Sequence, residues 1–289
     1  MVLPGRLGLE TARIPHVDRH GLVWLERGQL YVEDGTLRFK AAASASLQAG
    51  DYAIPFQTLS VILIGPGSSV THDSLRLLAR HGTALAAIGE GGTRLYTAQP
   101  LGPDDSLLAR RQARLWADPE TRASIARKMF AERFDEIPPH QDIEVLRGME
   151  GARIKRSYQL LAERFGVPWK GRHYDRADPE ATDIPNLAIN HAVTAVESAA
   201  AIAVAATATI PQLGFIHEDS SKAFILDVTD LVRTTVTVPL AFAAAKRCLD
   251  NAELILEREV RKKASETFRK EKLIDGLIGR IKSLFEADS

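Results

Sequence analysis

One cysteine, Cys248, among 289 residues rules out an internal disulfide and a thiolate zinc centre, so neither a stapled secreted scaffold nor a zinc finger fits. Net charge is absent as well: 37 lysines and arginines balance 37 aspartates and glutamates, which leaves global charge silent about a nucleic-acid partner. No apolar run is long. The most hydrophobic stretch, residues 198–210, is closed by Pro211 after 13 residues, whereas a bilayer span needs about 20. The first residues lack the basic, apolar, cleavable order of a signal peptide, so the expectation is a cytoplasmic protein with no membrane partner. Gly-x-x-x-x-Gly-Lys-Ser/Thr, Gly-x-Ser-x-Gly and His-Glu-x-x-His are missing too, and nucleotide hydrolysis, serine hydrolysis and zinc proteolysis lose their motif support.

What is present divides the chain in two. Residues 21–98 read mostly as strand: 22–25, 29–32, 36–39, 52–56, 60–64, 84–88 and 93–97 are β-type runs, and Asp34-Gly35 is a two-residue hairpin signal. Only Asp73 to Arg80 has a helical pattern in that region, and Glu90-Gly91-Gly92 reads as a hairpin turn rather than a phosphate cradle, because a strand follows it. After Pro100 and Pro103 the period changes to that of helices. Helix starts are expected at Asp104-Asp105-Ser106 and Pro119-Glu120, with further helices over 143–165, 186–209 and 253–285, where Leu256, Val260, Ala264 and Phe268 share a stripe. A short hairpin is expected at 214–226, with Asp227 ending its second strand and opening the next helix. The fold class is therefore α+β, an N-terminal β-sandwich domain over residues 1–98 followed by a mostly α-helical domain over 99–289.

Local charge is less even than the total. Residues 106–176 hold 15 basic and 10 acidic residues, against 9 and 10 before them and 13 and 17 after, so an electrostatic footprint for DNA belongs to the middle third. A solvated helix face accounts for the same excess.

Four residues offer hard-metal chemistry: Glu150 in Leu-Arg-Gly-Met-Glu-Gly, His217 in Gly-Phe-Ile-His, and the pair Asp227 and Asp230 in Asp-Val-Thr-Asp. Carboxylates with one imidazole suit Mg²⁺ or Mn²⁺, and such an ion can stabilise charge on a phosphodiester under attack. Each residue also has a plainer explanation. Asp227 and Asp230 fit a helix cap with its partner three residues on, His217 fits a satisfied core histidine, and Glu150 between Arg147 and Arg153 fits a surface ion pair. Gly148 and Gly151 beside Glu150 imply close approach by a backbone or a ligand.

Six stretches in one order carry a resemblance: Arg-Lys-Met-Phe-x-x-Arg-Phe at 127–134, Leu-Arg-Gly-Met-Glu-Gly-x-Arg at 146–153, Tyr-x-Leu-Leu-Ala at 158–162, Gly-Arg-His-Tyr-Asp at 171–175, and the His217 and Asp227/Asp230 segments. Together they resemble the CRISPR-associated integrase, the first-numbered Cas protein of antiviral defense, and most closely its type I-E branch. The resemblance implies metal ligands at Glu150, His217 and Asp230, with Asp227 supporting them. It implies a metal-dependent endonuclease and integrase of spacer acquisition, inserting short DNA duplexes into a repeat array by attack of the donor 3′-hydroxyl on a repeat phosphodiester. Partners follow from it: double-stranded DNA as donor fragment and repeat array, a second copy in a homodimer, and the second-numbered Cas protein, with residues 1–98 serving dimerisation and DNA contact. For DNA contact the candidates are Arg94, Arg153, Arg172, Tyr174, Lys222, Arg233 and Arg261, which flank the ligand motifs or lie on basic helical faces. Some relatives carry a tyrosine near Arg27, where this chain has a cation. The competing readings are a non-catalytic DNA-binding scaffold of a nucleoprotein assembly, which would show salt-dependent binding and no metal-dependent product, and a small-molecule phosphoesterase with no affinity for duplex DNA.

Overall fold

The computed structural model describes residues 21–44, 47–98, 106–134, 143–173, 182–218 and 220–286, except the side chains of 97, 98, 134, 143, 144, 146, 147, 149, 150 and 152. Two four-stranded sheets open the fold. The first, in the order β1-β5-β7-β8, joins β1 (Gly21–Leu25), β5 (Leu59–Ile64), β7 (Ala84–Ile88) and β8 (Leu95–Ala98); the second, in the order β4-β3-β2-β6, joins β4 (Gly50–Ala53), β3 (Thr36–Ala41), β2 (Gly28–Glu33) and β6 (Ser69–Val70). Asp34 and Gly35 both adopt positive φ, 49° and 74°, and close the β2–β3 hairpin with Glu33 opposite Thr36, as that dipeptide dictates. Helix α1 (His72–His81) starts where Thr71 accepts the backbone N–H of Ser74 and stops at left-handed Gly82.

β5 explains how the two halves of the chain meet. All six of its residues are buried, and its sequence Leu-Ser-Val-Ile-Leu-Ile is apolar but for Ser60, as expected of a strand covered on both faces. Ile62 and Ile64 face Leu30, Leu37 and Phe39 of the other sheet, completing the sandwich. Val61 and Leu63, on the opposite face, join Ala86 and Ile88 of β7 in the core of the helical half. The apolar core is thus continuous across the boundary expected near residue 98; residues 99–105 lie outside the description.

The helical half comprises α2 (Leu107–Ala117), α3 (Pro119–Phe134), α4 (Ile143–Phe165), α5 (Ile184–Ala206), α6 (Ala223–Asp230), α7 (Val238–Asp250), α8 (Leu256–Lys270) and α9 (Leu273–Leu284). α5 is its axis. Asp183 caps it by accepting the N–H of Asn186, and alanines at 188, 192, 195, 199, 200 and 203 let α6, α7, α8 and α9 approach closely. Its 23 residues are long and apolar enough to cross a membrane, longer than the 198–210 stretch implied, but 56% of its apolar window is buried in this core, the ordinary state of an internal helix.

Two expectations from the sequence are corrected. No hairpin forms at 214–226: residues 213–218 have no regular structure and Ala223–Asp230 is helix, so Asp227 lies within α6 rather than between a strand and a helix. Phe224, Ile225, Val228, Leu231 and Val232 form a helical stripe that buries against α5, and this burial overrides the β-type composition of the segment. The segment 253–285 is two helices, broken where Lys272 takes φ 49° after Glu271. Val260, Ala264 and Phe268 carry the expected buried stripe on α8, and Leu273, Leu277 and Ile281 restart it on α9.

Candidate metal and nucleic-acid site

The loop before α6 is held from α2 and α3. Gln112, wholly buried, donates from Nε2 to the carbonyls of Ile210 and Leu213 at 3.0 and 2.9 Å and accepts the N–H of Ile210 at 2.7 Å. One turn on, Trp116 Nε1 donates to the carbonyl of Gly214, and Arg122 Nε to that of Phe215 while its guanidinium pairs with Glu218. Phe215 anchors the loop from below by packing with Phe224 and Phe285. Gly214 is required by contact, since a Cβ there would stand 2.4 Å from the His217 carbonyl oxygen and 2.8 Å from Ala223. Gly214→Ala is expected to cost about 2 kcal/mol by forcing that contact apart, measured as a lower denaturant midpoint with an unchanged slope.

The loop exists to seat His217 over Asp227. The Asp227 carboxylate, fully buried in α6, accepts the backbone N–H groups of Phe215 and Ile216 on Oδ2 at 2.6 and 3.1 Å, and that of His217 on Oδ1 at 3.0 Å. Oδ1 also meets His217 Nδ1 at 2.7 Å. An ionised carboxylate only accepts, so Nδ1 donates and the Nε2 lone pair is turned outward. Asp227 therefore does not cap its own helix: each of its oxygens is engaged by two donors, and together they fix the loop and the ring of His217.

The outward Nε2 stands 3.9 Å from Oδ2 of Asp230, one turn further along α6. Asp230 is itself gripped by two cations, Arg133 of α3 with Nη2 3.4 Å from Oδ2, and Arg233 with Nη2 2.7 Å from Oδ1. Arg233 opens a π-type turn, Arg233–Thr237, that leads into α7. The hydrogen bond that His217 donates to Asp227 raises the His217 pKa above its ordinary 6.5, against the opposing pull of burial. Protonated His217 then adds stability that is complete below about 6.5 and fades as pH rises through the raised folded-state value. In the metal-free protein an NMR titration of the imidazole is expected to show a midpoint above 6.5, and Asp227→Asn should lower it.

The sequence candidates fare unequally. His217, Asp227 and Asp230 form one cluster. The backbone of Glu150 lies in the second turn of α4, its side chain lies outside the description, and no set of three metal-binding side chains is complete among the described residues. A Cβ at Gly148 or Gly151 would meet no atom within 4 Å, so these glycines do not serve close helix packing among the described residues. Arg94 and Arg261 both address Glu257, at 3.2 and 3.9 Å. Lys222 is bound to Glu197 at 2.6 Å, and Arg172 donates to the side-chain oxygens of Asn186 and Asn190. Arg153 is half-buried on α4, and Tyr174 lies outside the description. Arg27 turns the chain between β1 and β2 with φ 56°. Sequence reasoning assigned no role to Gln112, Trp116, Arg122 or Arg133; only Arg133, inside the 127–134 motif, left any signal.

A family model described as CRISPR associated protein Cas1 matches residues 22–138 and 130–270, nearly the whole described chain. The chain belongs to the Cas1 family. A Cas1 endonuclease of Rhodospirillum rubrum is 36% identical over 93% of this chain and 86% of its own length, and that of Escherichia coli is 35% identical over 95% and 87%. The solved TtCas1–DNA complex superposes with a TM-score of 0.82 at 30% identity, covering 93% of this chain and 98% of TtCas1. Membership in the Cas1 family is thus carried by sequence and by fold, and the β-sandwich followed by helices is the architecture shared with TtCas1. The similar identities to relatives from different organisms do not single out the type I-E branch.

Proposed function

We propose that this chain is a metal-dependent DNA endonuclease and integrase of CRISPR adaptation, with Glu150, His217 and Asp230 holding Mg²⁺ or Mn²⁺. The observation that carries the reading is the ordered His217, with Nδ1 locked on Asp227 and Nε2 presented 3.9 Å from Asp230 Oδ2. Two donors each about 2.1 Å from one ion stand about 3–4.2 Å apart, so this pair fits a shared cation. An imidazole with carboxylates is a donor set for Mn²⁺ or Mg²⁺ rather than for a thiolate-seeking metal, and Glu150 would supply the second carboxylate from α4. A bound ion supplies charge stabilisation at the phosphate and lowers the pKa of the attacking hydroxyl.

The chain's own side chains do the rest. Asp227 keeps the ring of His217 in one tautomer and one orientation, and Arg133 keeps Asp230 from turning away. Arg233, half-buried beside Asp230, and Lys222, on the loop before α6 and paired with Glu197, are the residues nearest this cluster that would meet phosphates of a DNA strand. Attack by a donor 3′-hydroxyl on a repeat phosphodiester exchanges one such bond for another, so no nucleoside triphosphate is consumed and the reaction runs in both directions. The Cas1 endonuclease names of the curated relatives and the DNA bound to TtCas1 support nuclease chemistry on DNA. The family resemblance supports a homodimer working with the second-numbered Cas protein in the cytoplasm. A pure DNA-binding scaffold fits less well, because His217 is locked on Asp227 with Nε2 turned toward Asp230, an order that a reaction needs and DNA binding alone does not.

The test is strand transfer of a short duplex into repeat-containing DNA by the purified chain, with and without the small partner, across Mn²⁺, Mg²⁺ and chelator. A metal-dependent product supports the reading. Salt-dependent DNA binding with no product under any metal would replace it by the scaffold.

A further inference from the structure

Asp118 joins α2 to α3 in a fixed elbow. Its carboxylate accepts the backbone N–H of Thr121 at 2.9 Å, and the Thr121 hydroxyl donates back to the carbonyl of Leu115 at 3.0 Å. The elbow sets Trp116, in the last turn of α2, beside Arg122, in the first turn of α3, with the guanidinium 5.7 Å from the centre of the indole ring. Both side chains reach the segment that carries His217. Trp116 Nε1 donates to the carbonyl of Gly214 at 2.9 Å, Arg122 Nε to that of Phe215 at 3.3 Å, and the Arg122 guanidinium pairs with the carboxylate of Glu218.

Arg122 thus holds the chain on either side of His217, by a backbone carbonyl two residues before it and by a side chain one residue after it. Asp227 takes the N–H groups of residues 215–217 from the direction of α6. The segment is gripped from two sides, its carbonyls by α2 and α3 and its N–H groups by α6. His217 lies outside any helix or strand, so the direction of its ring depends on both grips. The Arg122 side chain is 17% exposed against 51% for Glu218, which makes the arginine the fixed member of the pair and the glutamate the one drawn to it. A planar guanidinium with its donors in a rigid fork serves two oxygens at once, as a lysine ammonium on a flexible stem does not.

We infer that Arg122 is a positioning residue for His217: from α3 it holds residues 215 and 218 so that the ring keeps Nδ1 on Asp227 and Nε2 toward Asp230, with Glu218 as its handle beyond the ring. This rests on the reading of His217 as a residue of the reaction. In this role Arg122 acts through the chain on either side of the ring and not on the substrate.

Two readouts on the full-length chain test this, with wild type, Arg122→Gln, Arg122→Lys, Glu218→Gln and His217→Ala. The first is the nitrogen NMR spectrum of the His217 imidazole, recorded on the chain alone at a pH where the ring is neutral, which separates the two tautomers. Wild type is expected to hold the Nδ1–H form, Arg122→Gln to show a mixture of both forms, and Arg122→Lys to fall between them. The second is strand transfer resolved into kcat and KM for DNA. Arg122→Gln is expected to lower kcat about tenfold, the scale of losing a group that orients a reacting one, and Glu218→Gln about threefold, each with KM unchanged. A single Nδ1–H form in Arg122→Gln overturns the inference whatever the activity, as does a raised KM with unchanged kcat, which would make Arg122 a DNA contact. Should Arg122→Gln fail to fold, Glu218→Gln decides, and a wild-type spectrum with wild-type kcat in that variant overturns the inference. Wild-type activity in His217→Ala, or no metal-dependent product from wild type, overturns the reading of His217 and the inference with it.

Discussion

Asp230→Asn is expected to lower metal-dependent strand transfer by at least about a thousandfold, close to 4 kcal/mol of transition-state stabilisation, while the protein remains folded. Asparagine keeps one oxygen that can accept from the nearly inaccessible Arg133, while Arg233, 30% exposed, retains access to solvent. What it removes is the negative charge that an ion needs. Alanine would be a poorer probe at this position, because deleting the side chain leaves the nearly inaccessible Arg133 without its carboxylate, and breaking a buried pair on one side typically costs about 3–5 kcal/mol of stability. His217→Ala is expected to match Asp230→Asn in activity with little loss of stability, because its ring is 38% exposed and, among the described residues, hydrogen-bonded to Asp227 alone. Strand transfer and circular dichroism on the same preparations separate the two kinds of loss.

Asp227→Ala is expected to do the reverse, unfolding the site before it touches the chemistry. Four donors converge on that carboxylate, three of them the backbone N–H groups of residues 215–217. Leaving buried donors unsatisfied costs about 1–3 kcal/mol each, and because the loop relaxes as one unit the total is expected near 4 kcal/mol. Urea denaturation should show this loss in the absence of any metal, and Asp227→Asn should recover part of it, since an amide oxygen still accepts. Recovery of stability without recovery of strand transfer would place the function of Asp227 in holding Nε2 of His217, because asparagine can offer Nδ1 a bond of the wrong polarity. A loss below about 1 kcal/mol for the alanine variant would mean that the 215–217 segment is held by Gln112 and Trp116 instead.

Where local pattern decides structure, the sequence was readable. The run at 60–64 reads as a strand, Asp34-Gly35 as a tight hairpin turn, and the alanines of α5 as a helix buried on most sides, and all three form as read. At 223–230 pattern and packing diverged: the phenylalanine, isoleucine and valine suit a strand, but their spacing puts them on one side of a helix, and α5 was there to receive it. The site divides in the same way. Residue types and the family likeness led to His217 and Asp230, which the fold brings together, whereas the true part played by Asp227 depends on backbone donors ten to twelve residues upstream. The clamps are the least legible of all. Gln112 and Trp116 meet their carbonyls 98 residues further along the chain, and nothing near either residue records where that loop returns. Arg133 looked like one more cation on a basic helix until burial placed it under Asp230.

The most direct measurement is a crystal structure of the full-length chain grown with Mn²⁺, with anomalous scattering used to locate the ion. The account predicts one peak within bonding distance of a Glu150 carboxylate oxygen, His217 Nε2 and an Asp230 oxygen, with the His217 ring still bonded to Asp227. A peak that neglects His217 and Asp230, or a Glu150 directed elsewhere while the ion is bound, would contradict it.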